Sequence, residues 1–245
     1  MSAKPRLWTR GFVLDTLVNF LIYIIYYMLM VIIASEAIHS LHATVSEAGL
    51  AAGIFVLGTL VARLFAGRSV ELYGRKKMLY AGILFFLVTT CMYFLIDSLA
   101  TMYIVRFLSG VGYGIASTAT STIVSAMIPA ERRGEGINYY ALSMSLAAAI
   151  GPFIGMVMQQ MFPFRVIILF SIVMVLICLG AAFVMKVDEI QLTEEHRAAL
   201  KQLSLSNFLE PRVMGISIVG FFVAVCYSSV LSFLATYAAE LQLMT

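Results

Sequence analysis

Charge is what this sequence has least of. Acidic and basic side chains make up 12% of its 245 residues, where an ordinary soluble domain carries about a quarter. A soluble chain of this length cannot hide a hydrophobic share of 62% in a single core. The net charge is only +3, so nothing in the balance points to a nucleic-acid partner. Cysteine is scarce too. Cys91, Cys178 and Cys226 all fall inside apolar runs, so they read as small buried hydrophobes and not as a disulfide or metal set. Alternating apolar segments of about ten residues, the mark of a membrane β-barrel, are missing. The first apolar run is too long for the core of a signal peptide, and no small-residue cleavage site follows it.

What the sequence has instead is a series of long apolar runs. Seven candidate spans follow, at about Phe12–Ser35, Ala48–Ala66, Met78–Ile96, Leu99–Ile128, Ile137–Met161, Val166–Met185 and Val213–Ala239. Each reaches the roughly 20 residues needed to cross about 30 Å of hydrocarbon. The fold class is an all-α polytopic membrane protein, with the lipid bilayer as its solvent.

Basic residues orient the spans. The N-terminus holds Lys4, Arg6 and Arg10; the second loop is assigned Arg63, Arg68, Arg75, Lys76 and Lys77; the fourth holds Arg132 and Arg133; the sixth holds Lys186, Arg197, Lys201 and Arg212. The intervening connections, near His39 and His42, near Asp97 and near Pro163, hold almost none beyond Arg165. One side takes nearly all the positive charge, which puts the N-terminus in the cytoplasm. Trp8 suits an interfacial anchor. The organisation expected is a six-helix bundle over 1–185, a polar linker over 186–211 and the first helix of an incomplete second bundle over 212–245. Within the linker, "TEEHRAALKQL" reads as a short helix with Thr193 as cap and acids in its first turn. The chain reads as a fragment whose C-terminal half is missing.

Between the second and third spans lies Gly67 to Leu79, "GRSVELYGRKKML". It reads as a tight cytoplasmic turn. Gly67 and Gly74 permit close helix approach and unusual backbone angles, and Arg75, Lys76 and Lys77 hold the turn inside. Glu71 has no topological use. A carboxylate there can cap a neighbouring helix or pair with an arginine, and such a contact can form in one conformation and break in another.

The pattern Gly67, Glu71, Gly74, Arg75, Lys76 resembles the signature loop between helices 2 and 3 of the major facilitator superfamily. The family usually has Asp where this chain has Glu71, and a basic residue where it has Leu72. "RFLSGVGYG", Arg106 to Gly114, resembles the family's helix-4 motif. Gly151, Pro152 and Gly155 resemble the core of the helix-5 motif of its antiporters, with Ala147 and Met156 where glycine is often found. The resemblance implies a twelve-helix transporter of the drug:proton antiporter branch, in which Glu71 and Arg75 latch the two halves on the cytoplasmic side. It implies no cofactor, the proton gradient being the driving force. The first helix lacks the prolines often seen near its outer end in that branch.

Polar residues at helical spacing mark the faces that line a pathway. Asp15, Asn19, Tyr23 and Tyr26 share one face of the first span. Arg106, Tyr113, Ser117 and Thr120 share one in the fourth, and Tyr140, Met144 and Gly151 one in the fifth, beside Ser143. Asp15, Asn19, Tyr23, Arg106, Tyr113 and Tyr140 are the candidates for contact with a small-molecule substrate and with protons. Each has a plainer alternative: Asp15 can pair with Arg10, Arg106 can snorkel to the outer interface, and the tyrosines can fill a core. Gly110 and Gly114 form GxxxG, a helix-packing motif. The seventh span offers Tyr227, Ser228 and Ser229 and no acid.

The functional expectation is a proton-coupled exporter of small amphipathic molecules or metabolites, working by alternating access in the inner membrane. The alternative within transport is a facilitator or nutrient symporter. A seven-helix receptor would place its N-terminus outside, against the charge pattern. An enzyme would need a nucleophile–base pair or metal ligands within the spans; His39, His42 and His196 sit outside them with no partner at ligand spacing. No phosphate-binding loop supports a nucleotide-driven pump.

Overall fold

The computed structural model describes residues 5–187 and 213–226. The chain divides into two compact units, Met1–Arg197 and Ala198–Thr245. In the first unit, α1 runs over Arg10–Leu41, α2 over Val45–Tyr73 and α3 over Arg75–Cys91, the last continued by a 3-10 turn at Met92–Leu95. Then come α4 (Leu99–Met127), a 3-10 turn at Ala130–Arg132, α5 (Arg133–Met161) and α6 (Phe164–Val184). All six are long and apolar enough to cross a membrane. The second unit contributes α7, Val213–Cys226, a shorter apolar helix. Its continuation towards Ala239, the linker helix around Thr193, and Tyr227, Ser228 and Ser229 lie outside the described residues.

The helices start where the sequence supplies caps. Thr9 accepts the amide of Phe12 at 3.2 Å to open α1. Thr44 and Glu47 form a reciprocal capping box at α2. Ser98 accepts the amide of Thr101 to open α4. Most helices run past the apolar windows, because their first and last turns carry polar residues out of the hydrocarbon. The largest difference is at α2. It extends through Gly67 to Tyr73, so the expected turn shrinks to Gly74, with φ 98° and ψ 142°. Arg63 and Arg68 therefore belong to a membrane-spanning helix and not to a loop. Gly67 is an ordinary helical residue with open space where a Cβ would stand, so the close approach expected there does not occur.

Helix α4 packs between α2 and α3, α1 lies against α5, and α1 also meets α2, α4 and α6. The α2–α4 seam is tight because two glycines face it from opposite sides. A Cβ at Gly58 would come within 2.1 Å of the Phe107 carbonyl oxygen, and one at Gly110 within 2.1 Å of that of Phe55. In lipid, such packing takes over the role that hydrophobic burial plays in water. The bundle's outer surface is apolar: Leu60, Leu64, Leu84, Phe153 and Leu169 are all exposed. Cys178 is buried, whereas Cys91 and Cys226 are exposed, a correction for those two: Cys91 points away from the seams that α3 makes, and every described residue of α7 is exposed.

Candidate functional site

Three helices meet at one polar cluster. The Tyr140 hydroxyl of α5 donates to Asn19 Oδ1 of α1 at 2.9 Å and lies 3.0 Å from Thr120 Oγ1 of α4. Thr120 reaches the same Asn19 oxygen at 3.4 Å. The Asn19 amide donates to Ser143 Oγ at 3.1 Å. Asn19, Thr120 and Tyr140 are buried, so the cluster ties α1, α4 and α5 together inside the membrane-spanning region.

One turn along α1 towards its N-terminus stands Asp15. Its side chain is fully buried, and neither carboxylate oxygen has a hydrogen-bond partner among the described residues. The expected alternative, a pair with Arg10, is not formed. An ionised carboxylate in that position lacks compensation, and burial without compensation is expensive. Among the described residues Asp15 is thus the one fully buried acid, a turn away from a cluster able to relay hydrogen bonds.

Tyr140 also faces a groove of about 330 Å³, lined by Tyr23, Arg63, Ser117, Thr118, Ser121 and Met144 besides Tyr140. Three of the sequence candidates' helices, α1, α4 and α5, converge there. Sequence reasoning missed Thr118, Ser121 and, from α2, the charged member Arg63. Its signal was its position, four residues after the buried Thr59 and so beside the inward face of α2. Tyr113 sits deeper, buried between Tyr26 at 5.1 Å and Phe55 at 5.3 Å between ring centroids. It belongs to an aromatic stack with Tyr23, whose ring lies 5.4 Å away.

Arg106 is placed differently. It is wholly buried and does not snorkel. Its guanidinium donates to the carbonyls of Ala51 and Ala52, each at 3.1 Å, and to the Tyr93 hydroxyl at 3.3 Å. The Phe55 ring centroid lies 4.6 Å from its Cζ. Arg106 therefore fastens α4 to α2, and it lines neither the groove nor the cleft at Arg10 and Lys186.

The signature residues sit together at one end of the bundle. Glu71 is exposed on the last turn of α2, Gly74 makes the turn, and Arg75 and Lys76 begin α3. Lys76 Nζ donates to the Met185 carbonyl at 2.7 Å, just after α6 ends, and Tyr80 donates to the Ala182 carbonyl at 3.3 Å. The loop thereby caps α6 with a cation, where the helix dipole favours one. In α5, Gly151 and Gly155 press against α1: a Cβ at Gly151 would fall 2.7 Å from Tyr27 Cβ, and one at Gly155 3.0 Å from the Met28 carbonyl oxygen. Pro152 stands between them within the helix. Among the described residues no group of His, Cys, Asp and Glu is arranged to hold a metal ion.

Residues 16–244 match the sequence profile of the Major Facilitator Superfamily. The chain belongs to this superfamily. Its six membrane-length helices have the fold of the transporters in this superfamily, a family of transporters and not of enzymes. An uncharacterized transporter of the family from Methanocaldococcus jannaschii is 31% identical over 123 residues, which is 50% of this chain and 32% of that protein. Multidrug resistance protein 2 of Bacillus subtilis is 26% identical over 171 residues, covering 69% of this chain and 42% of the relative. In three dimensions the chain resembles a peptide transporter crystallised with alafosfalin, at a TM-score of 0.65 and 17% identity, covering 94% of this chain and 48% of the other. The chain thus spans less than half the length of the curated relatives it matches.

Proposed function

We propose that the chain is the substrate- and proton-handling half of a proton-coupled exporter of small amphipathic molecules. The observation that carries this reading is Asp15: a buried, unpartnered carboxylate one turn from the Asn19–Thr120–Tyr140–Ser143 cluster, which itself borders the groove. Asp15 is the proton carrier. Neutral, it suits the closed interior; ionised, it requires water or a donor. Its charge state therefore favours different arrangements of α1 against α4 and α5. That is the form of coupling alternating access needs, because a proton shifts an equilibrium only by interacting unequally with its two states. Asn19, Tyr23 and Tyr140 present the cavity to substrate.

The direction of transport rests on the helix-5 glycines and Pro152, whose pattern resembles that of antiporters, and on the multidrug relative. The N-terminus is cytoplasmic, and the protein resides in the inner membrane. The linker over 186–211 joins this bundle to a second one that begins at Val213. Glu71 and Arg75 latch the two on the cytoplasmic side.

The test uses inside-out vesicles from cells producing the full protein, acidified internally and followed with a pH-sensitive dye. Small aromatic amphiphiles of each charge are added in turn. A proton-coupled exporter discharges the acid interior when its substrate is added. Substrate movement that ignores the gradient identifies a facilitator, and co-movement with protons identifies a symporter.

A further inference from the structure

We infer that Arg63 is the anchor of a binding site for small aromatic carboxylates, with the anionic group of the substrate seated on its guanidinium. The inference rests on the groove being the substrate site proposed above and deepens it by naming the substrate's charge. Arg63 stands ten residues before the end of α2 at Tyr73, which at 1.5 Å per residue is about 15 Å of helix. An arginine that far along a membrane-spanning helix is costly unless it faces a cavity and a partner. It has the cavity, since it lines the groove with Tyr23, Ser117, Thr118, Ser121 and Tyr140. It has no hydrogen bond or ion pair among the described residues.

Nor is a described carboxylate in place to serve it. Glu36, Glu47 and Asp97 lie at the opposite end of the bundle, at or near the α1–α2 and α3–α4 connections. Glu71, Glu131 and Glu135 lie beyond it, at or near the α2–α3 and α4–α5 connections. Asp15 is nearest in depth, but it is fully buried in the packed interior and is not paired with Arg63. Arg106, the other arginine deep within a span, has its donors on α2 carbonyls and Tyr93. The groove therefore presents one cation, no acid and five free N–H donors in a planar fork, the geometry that holds a carboxylate by two parallel hydrogen bonds.

The rest of the lining defines the other end of the ligand. Ser117 and Thr118 both spend their protons on the Gly114 carbonyl, and Ser121 spends its own on Thr118. Tyr140 spends its proton within the Asn19 cluster. These hydroxyls thus offer lone pairs to the groove, and they suit a ligand that donates. Tyr23 and Met144 supply an aromatic edge and an adaptable apolar wall. A flat ring bearing a carboxylate at one end and a hydroxyl or amino group at the other satisfies all three surfaces.

The test is equilibrium binding to the full protein in detergent or nanodiscs, read by scintillation proximity, which needs no gradient and no transport. The probes are 4-hydroxybenzoate, its neutral analogue 4-hydroxybenzamide and the cationic tyramine. The expected result is that the carboxylate binds at least about tenfold tighter than the amide, the scale of a hydrogen bond to a charged group. Arg63→Gln abolishes that preference, because it weakens carboxylate binding far more than amide binding, and Arg63→Lys keeps part of it. In addition, Arg63→Cys in a protein lacking Cys91, Cys178 and Cys226 is labelled by a water-soluble thiol reagent, and 4-hydroxybenzamide slows the labelling. The inference is overturned if the wild type binds the carboxylate no more tightly than the amide, or if Arg63→Gln leaves the ratio intact. Anion-selective binding without any proton linkage in vesicles would fail the antiport reading alone.

Discussion

Tyr140 of α5 donates its hydroxyl proton to Asn19 of α1 across 2.9 Å, inside the membrane-spanning bundle. The same hydroxyl touches Thr120, so one side chain couples three helices beside the groove. Tyr140→Phe removes the donor and keeps the ring. An interhelical hydrogen bond in a membrane is worth about 0.6–2 kcal/mol, so folding survives. Transport falls several-fold, while the amount of protein inserted stays constant. Vesicle uptake normalised to protein level checks both.

The α2–α4 seam makes a stability prediction with its own control. Gly110→Val forces a side chain into the Phe55 carbonyl, 2.1 Å from where its Cβ would stand, and overpacking of that kind costs about 1–3 kcal/mol or more. Gly67→Ala adds a Cβ where nothing lies within 4 Å and removes glycine's helix penalty of about 1 kcal/mol. Thermal unfolding in detergent is expected to show a large fall for the first and no fall for the second. Equal falls would mean that the seam is not as drawn.

Gly74 and Glu71 separate structure from switching. With φ at 98° and ψ at 142°, Gly74 sits in a region that costs a side chain about 1–3 kcal/mol. Gly74→Ala therefore lowers both stability and transport. Glu71→Gln changes no contact among the described residues, so it leaves stability unchanged and lowers transport only. A Glu71→Gln protein with wild-type transport rates would remove the latch.

Two arginines within spans behave oppositely towards water. In a cysteine-free background, Arg106→Cys is expected to resist membrane-impermeant thiol reagents from both sides, because Arg106 is wholly buried between α2 and α4. Arg63→Cys is expected to react. Mass spectrometry of the labelled protein reads both.

Much of this was legible beforehand. The six long helices followed from apolar run length, and the stripe Asp15, Asn19, Tyr23 and Tyr26 from its helical period. A polar residue in such a run has to find a cavity or a partner, and Asn19 does so through Tyr140, Thr120 and Ser143. Motif spacing placed Gly151 and Gly155 on one face of α5, though not which helix they meet. Arg63 was lost because it lies close to the end of an apolar window and was counted with the loop charges; hydropathy does not record that the helix runs on to Tyr73. Gly58 carried no signal without its opposite number Gly110. The buried end of Arg106 was equally hidden, since its partners are backbone carbonyls of α2, and carbonyls have no sequence signature.

The central claim is that Asp15 carries the coupling proton, and the most direct measurement is to separate exchange from coupled transport in Asp15→Asn. The full protein and this variant are reconstituted in proteoliposomes with a substrate identified in the vesicle assay. Substrate-for-substrate exchange and pH-gradient-driven accumulation are then followed in parallel. The account predicts that the variant keeps exchange near the wild-type rate and loses accumulation almost entirely, because the amide fills the same place without titrating. Accumulation by Asp15→Asn at the wild-type level would contradict it.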